Sequence, residues 1–278
     1  MKISRRLAHI VIAMIGFSSL ADRAYAAMIA YDNAGDSAYN SGTVIGVNGG
    51  YGWGGPWSAN LGLYLRSSSL LGGPDPGTGY INSPKSPDGR AWGVGTFFFT
   101  GAPPTTTASR PFSGSLTPGQ TFSIDIDDSP GANAGITLGD LAVGMGGFIN
   151  NVPVYQAQST AGPNGSLVVD FGPPVTDFGA RAEFTVLNDS TTQVTITSLA
   201  PGGDSDSFIL PYSTTMTGML AQNFPWGQGS GFLYLNNMSI TPEPDTAALA
   251  IVALSVVLLG QRSRARRPHW LWWTSTPH

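Results

Sequence analysis

The chain has 278 residues, no cysteine, three histidines and a formal net charge of −4. Without thiols it has no disulfide staples, no thiolate metal site and no cysteine nucleophile. His9, His269 and His278 all lie near the ends. The long middle of the chain therefore has no Ser-His-Asp triad, no His-ligated zinc and no imidazole base.

In chain order, Lys2, Arg5 and Arg6 come first, then an apolar stretch from Leu7 to about Leu20 and Ala24-Tyr25-Ala26. A basic start, an apolar core and small residues at Ala24 and Ala26 predict a secretory signal peptide over 1–26, cut after Ala26 by signal peptidase. An uncleaved N-terminal anchor is the alternative.

Residues 27–241 form the body, read as a single domain. They hold five cations and fourteen acids, a net of −9 that the basic ends conceal. Such a surface is a poor partner for nucleic acid or anionic lipid, and it suits work beside neutral polysaccharide.

The body reads as all-β. Phe122, Ile124 and Ile126 alternate with polar residues, as do Ala182, Phe184 and Val186, and then Val194 and Ile196. This period of two places each set on one sheet face. In the run 232–240, Phe232, Tyr234, Met238 and Ile240 are expected to share a face with Asn236. Further strands are predicted at 28–31, 61–66, 92–100, 151–156, 166–171 and 207–210. Gly/Pro turns separate them at 72–77, 129–131, 162–165 and 201–204. Short strands with such turns, and no helical period, mean a sandwich or barrel.

Three groups of body residues have site chemistry. Asp125, Asp127 and Asp128 end one strand, and Asp204 and Asp206 lie in a Gly-containing loop. Alternating oxygen ligands of this kind can hold Ca²⁺. The competing reading is turn-capping Asp residues bonded to their own backbone. Asp125 and Asp127 share a strand face and repel one another unless a cation intervenes. Tyr51, Trp53 and Trp57 sit in a Gly-rich stretch. Their rings can stack on sugars as an aromatic platform, or cap the core. Glycoside hydrolysis needs two acids across the scissile bond; Glu183 is the body's one glutamate, on a predicted strand with Asp189 after it, and reads as a solvent-facing strand acid near Arg181.

The tail begins at Pro242-Glu243-Pro244, two prolines that keep the chain extended. An apolar helix is expected over about 246–260, followed by Arg262, Arg264, Arg266 and Arg267 as a cytoplasmic stop. Its apolar residues would span about 22 Å, short of a ~30 Å hydrocarbon core, and snorkelling arginines can make up the difference. Residues 268–278 are an extension carrying Trp270, Trp272 and Trp273.

Pro-Glu-Pro, a short apolar helix and an arginine cluster, in that order over 242–267, resemble the PEP-CTERM sorting signal of exported bacterial proteins. The resemblance implies recognition of Pro242, Glu243 and Pro244 by a membrane-embedded exosortase. It further implies an inner-membrane-tethered intermediate, then delivery to the cell surface or extracellular matrix. The 268–278 extension departs from that pattern, since such signals usually end near the arginines. Two body segments, 110–127 and 230–240, are similar to strand-and-turn patterns of concanavalin-A-like jelly-roll sandwiches. That likeness implies a two-sheet β-sandwich with carbohydrate-related roles.

Together these readings give a non-catalytic exported protein, able to bind extracellular polysaccharide weakly, with Ca²⁺ as the one cofactor the residues suggest. The alternative is an exported glycan-processing enzyme of the same fold that uses Asp and Glu carboxylates.

Overall fold

The computed structural model describes residues 28–67, 90–95, 105–128, 132–175, 178–225 and 232–242. Among them the strands are β1 (Ala30–Asp32), β2 (Ser58–Ala59), β3 (Leu63–Ser67), β4 (Arg90–Gly95), β5 (Thr106–Pro111), β6 (Gln120–Asp128), β7 (Ala132–Leu138) and β8 (Leu141–Ile149). They continue with β9 (Val152–Ser159), β10 (Val168–Pro174), β11 (Ala180–Asn188), β12 (Thr191–Ser198), β13 (Ser205–Pro211), β14 (Gly218–Pro225) and β15 (Phe232–Pro242). The described helices are two single 3₁₀ turns, Ser37–Tyr39 and Pro163–Gly165.

The all-β expectation holds, with two antiparallel sheets. One has eight strands in the order β13-β12-β11-β6-β15-β4-β3, with β1 also on β15. The other has seven, in the order β10-β9-β8-β7-β14-β5-β2. Phe122, Ile124, Ile126, Phe184 and Val194 from the first sheet are buried in one cluster with Ile136, Val143, Tyr155 and Ala221 from the second. Each of the Phe, Ile and Val side chains among them contributes about 1.5–3 kcal/mol by leaving water. The inward positions of β6, β11 and β12 are those expected from alternation.

One expectation fails in an instructive way. β15 does not keep a single alternation: its register against β6 shifts between Asn236 and Ser239. Asn237 takes a positive φ of 49° there. This bulge exchanges the faces, because the extra residue changes the parity of the strand. Leu233, Leu235, Met238 and Ile240 enter the main core, while Phe232 and Tyr234 form a small separate cluster with Ala91.

Strands β2, β5, β7, β8 and β14 are not among those predicted. β7 and β8 place Gly135 opposite Gly144, and such Gly-rich segments have low β-propensity. Their signal lies in the turns. Asn150 and Asn151 have φ of 51° and 64° and join β8 to β9 as a two-residue hairpin of the primed type.

Among the described residues no helix is long and apolar enough to cross a membrane. The signal-peptide residues Ala24 and Ala26, Glu243, Pro244, the helix at 246–260, the arginine stop and the 268–278 extension lie outside them. Pro242 is the last described residue and pairs with Gln120.

Candidate functional site

Among the described residues the outward face of the eight-stranded sheet carries a concentration of polar side chains. Its centre is the β15 bulge, where Asn236 and Asn237 serve three neighbouring segments. The Asn236 amide accepts from the Ala34 backbone N–H at 3.0 Å and donates to the Arg90 carbonyl at 3.1 Å. Asn237 donates to Asp125 at 2.7 Å and accepts from Asn33 at 2.7 Å. Asn tolerates the positive φ that the bulge demands, so one residue type provides both the backbone and the contacts.

Asp125 is 4% exposed. Arg181 on β11 grips it with both arms of its fork, Nε at 2.7 Å and Nη2 at 3.1 Å. Burial of Arg181 works against its charge, but the hydrogen bond and charge of Asp125, with Glu183 nearby, outweigh it and raise the guanidinium pKa. The cation expected beside the Asp125–Asp127 pair is thus met at Asp125 by an arginine. Asp127, 5% exposed, follows on the same face. With Asn236, Tyr234, Phe178 and Leu199, both acids line a water-sized recess.

Beyond Arg181 the face becomes a row of hydroxyls. Thr121 pairs with Thr185, Thr195 with Ser207 and Thr197 with Ser205, each at 2.8 Å between oxygens. Glu183 stands in this field, half-buried, opposite Ser123 and Thr195. Hydroxyls that both donate and accept can exchange partners with sugar hydroxyls at little cost.

The remaining candidate residues fall elsewhere. Asp204 and Asp206 are exposed. β13, which carries Asp206, is separated from β6 by β12 and β11, so the two Asp clusters are not brought together. Asp128 ends β6 opposite Leu233. Among the described residues no group of three or more His, Cys, Asp or Glu is arranged to hold a metal ion.

Tyr51, Trp53 and Trp57 do not form one open platform. Tyr51 is 52% exposed, whereas Trp53 is 8% and Trp57 1% exposed. Gly50 and Gly52 have positive φ, and a Cβ on them would lie 2.0 Å from the Tyr31 carbonyl oxygen of β1 and 2.1 Å from that of Ile29 just before it. These glycines let the segment press against β1, where Tyr31 and Tyr51 exchange backbone hydrogen bonds of 3.0 and 3.1 Å. The two indoles are thereby turned inward onto Arg110, whose guanidinium carbon lies 5.0 Å from the Trp53 ring and 5.6 Å from the Trp57 ring.

Arg110 is wholly buried and pairs with buried Asp32. It also donates to the Tyr39 hydroxyl at 2.8 Å, to Asn48 at 2.9 Å and to the Gly49 carbonyl at 2.6 Å. The Tyr39 hydroxyl donates to Asp32 at 2.5 Å. Burial pushes the Asp32 carboxyl above its ordinary value, although Arg110, Tyr39 and the Asn33 N–H pull the other way. Burial and the Asp32 charge push the Tyr39 hydroxyl far up.

The sequence placed Asn236 only as a polar member of a strand face and assigned no site role to it, Asn33 or Asn237. The detectable signal was a pair of Asn, poor strand formers, inside an otherwise apolar β run.

No protein-family model matches the chain, and no curated protein matches it. Among solved structures it is similar to one from work on endo-acting O-glycanases that members of the human gut microbiota express to initiate mucin breakdown. That likeness has 9% identity and a TM-score of 0.45 over 78% of this chain and 99% of the other. A glycosyl hydrolase family protein from Mycobacterium fortuitum matches with 12% identity and a TM-score of 0.43 over 77% and 99%. A legume lectin-like domain from Entamoeba histolytica matches with 8% identity and a TM-score of 0.39 over 55% and 84%. These are likenesses of loosely overlapping β architecture.

Proposed function

We propose that the protein is an exported, non-catalytic surface or matrix protein with a concanavalin-A-like jelly-roll body. The hydroxyl-lined face of its eight-stranded sheet rests against neutral extracellular polysaccharide. The observation that carries this reading is the engagement of Asp125. A glycosidic acid or nucleophile must reach the substrate, and this carboxylate is held by Arg181 and Asn237. Around it the face offers paired Thr and Ser hydroxyls.

Delivery belongs to the same proposal. Signal peptidase removes 1–26, and an exosortase acts at Pro242-Glu243-Pro244 on an inner-membrane-tethered intermediate. The support is the order of sequence features at both ends. Mass spectrometry of the mature protein is expected to find a chain beginning at Ala27 and ending near Pro242. An intact end at His278 would refute the sorting step.

Binding is tested by a glycan array and affinity electrophoresis on the purified body, with and without a chelator. Retardation by a neutral polysaccharide is expected, with weaker retardation for Thr195→Val. Absence of retardation by every polysaccharide tried would refute the binding reading. A second reading, a glycan-processing enzyme, draws on Asp127 at the recess beside Tyr234. Release of reducing sugar that disappears in Asp127→Asn would favour it.

A further inference from the structure

A single line of side chains crosses the outward face of the eight-stranded sheet. Tyr51 is bridged to Tyr31 on β1, and Tyr31 is paired with Ser239 on β15. Ser239 is paired with Ser123 on β6, and Ser123 with Glu183 on β11. Glu183 then faces Thr195 on β12, and Thr195 faces Ser207 on β13. Directly opposed residues of antiparallel strands project to the same side. Ala30, Met238, Phe122, Ala182 and Val194, each next in sequence to one of these residues, point the other way into the core. Six strand spacings of about 4.8 Å make the line roughly 29 Å long.

The chemistry of the line changes along its length. At one end are two tyrosines, Tyr51 at 52% exposed and Tyr31 half-buried. The Asn33 amide donates to the Tyr31 hydroxyl at 3.1 Å and holds that ring in place. A phenol ring offers an apolar face and a polar tip, which complement the C–H face and hydroxyl rim of a sugar. At the other end are the hydroxyls of Thr195 and Ser207. Between them stands the half-buried Glu183, whose carboxylate accepts from two neighbouring sugar hydroxyls. Ser123 lies on the floor. Arg181, two residues from Glu183 on the same face, is committed to Asp125. The line therefore has a free carboxylate and no free cation, and it repels acidic glycans.

We propose that this line is a track for a neutral, linear, equatorially linked glycan, held as an extended chain that crosses the strands rather than running along them. In an extended β-1,4-linked chain each ring advances by close to one strand spacing, so about six rings lie along the line. The proposal rests on the reading that this face binds neutral polysaccharide, and gives the bound chain its class and direction.

The test titrates the full chain, in a detergent without a sugar headgroup, with the hexaoses of β-1,4-linked glucose, mannose, xylose and N-acetylglucosamine. Maltohexaose and hexagalacturonate are the controls for linkage and charge. At least one β-1,4 hexaose is expected to bind more tightly than its trimer and than both controls. Tyr51→Ala at one end and Thr195→Val near the other each weaken that hexaose by about three- to tenfold. Tyr51→Phe keeps the ring and keeps the binding. Thr185, paired with Thr121 and Gln193 beside the line, is the same-face control, and Thr185→Val leaves binding unchanged. The track is overturned, with the polysaccharide-binding reading left standing, by binding that Tyr51→Ala does not weaken, that Tyr51→Phe weakens as much, that Thr185→Val weakens equally or that favours a control glycan. Retardation by a polysaccharide when no hexaose binds has the same consequence. Absence of binding to every glycan overturns both.

Discussion

Asp32 on β1 and Arg110 on β5 form an ion pair with neither side chain exposed, and it ties the eight-stranded sheet to the seven-stranded one. The partners are 78 residues apart in sequence. A buried charge without its partner is costly, whereas removing both partners can be nearly neutral. Arg110→Met is therefore expected to destabilise the body by about 3–5 kcal/mol. The double variant Asp32→Asn/Arg110→Met should recover part of that loss. Urea unfolding of the singles and the double checks this; strict additivity would show that the two charges are not coupled.

The same cluster sets an alkaline limit. The Tyr39 hydroxyl is held above its ordinary value of 10.0 by burial first, then by the Asp32 charge and hydrogen bond. The unfolded chain releases this proton near the ordinary value, while the folded chain keeps it. The folded state then binds more protons, so stability falls as pH rises beyond about 10. Tyr39→Phe is expected to be less stable at neutral pH and to show a shallower decline above pH ~10. Unfolding midpoints taken across the alkaline range, with tyrosinate absorbance followed in parallel, measure both effects.

The bulge at Asn237 separates backbone from side-chain effects. Asn237→Gly keeps the positive φ but loses the bonds to Asp125 and Asn33, at a cost of about 1–3 kcal/mol. Asn237→Val loses the same bonds and adds about 1–2 kcal/mol of left-handed strain. Chemical denaturation should rank wild type above Gly and Gly above Val. Equal stability of the Gly and Val variants would show that the backbone at 237 is not strained.

Tyr31 and Ser239 face one another directly across β1 and β15. Directly opposed antiparallel positions have Cα separations that a disulfide can span. Tyr31→Cys/Ser239→Cys is expected to oxidise without competing thiols, since the chain has none, and to stabilise by about 2–4 kcal/mol. Thiol titration and the change in Tm on adding reductant test it. Two free thiols after oxidation would show that the strands are not paired in solution.

Much of the fold was legible where period-two alternation is strict. Phe122 to Ile126 and Ala182 to Val186 needed no tertiary information, because the strand pleat assigns alternate side chains to opposite faces. Legibility ended where that rule is interrupted. The β15 bulge inserts one residue, and every later side chain changes face. β7 and β8 were unreadable for a different reason: Gly135 and Gly144 contribute no side chain to a pattern. The candidate site was half legible. Asp125 and Asp127 stood out as two acids on one face, but Arg181 and Asn237 are 56 and 112 residues from Asp125. Such partners are chosen by strand order, which local pattern does not encode.

By itself the sequence determined the class of structure, the acidic balance of the body and the absence from it of thiol and imidazole chemistry, since these follow from composition and short-range periodicity. Only the tertiary structure decided which way Trp53 and Trp57 turn, which cation neutralises Asp125 and which strand lies beside β15. Each of those outcomes depends on groups far apart in sequence meeting at one point. Their energies, from desolvation, ion pairing and stacking, exist only once strand order and register have brought them together.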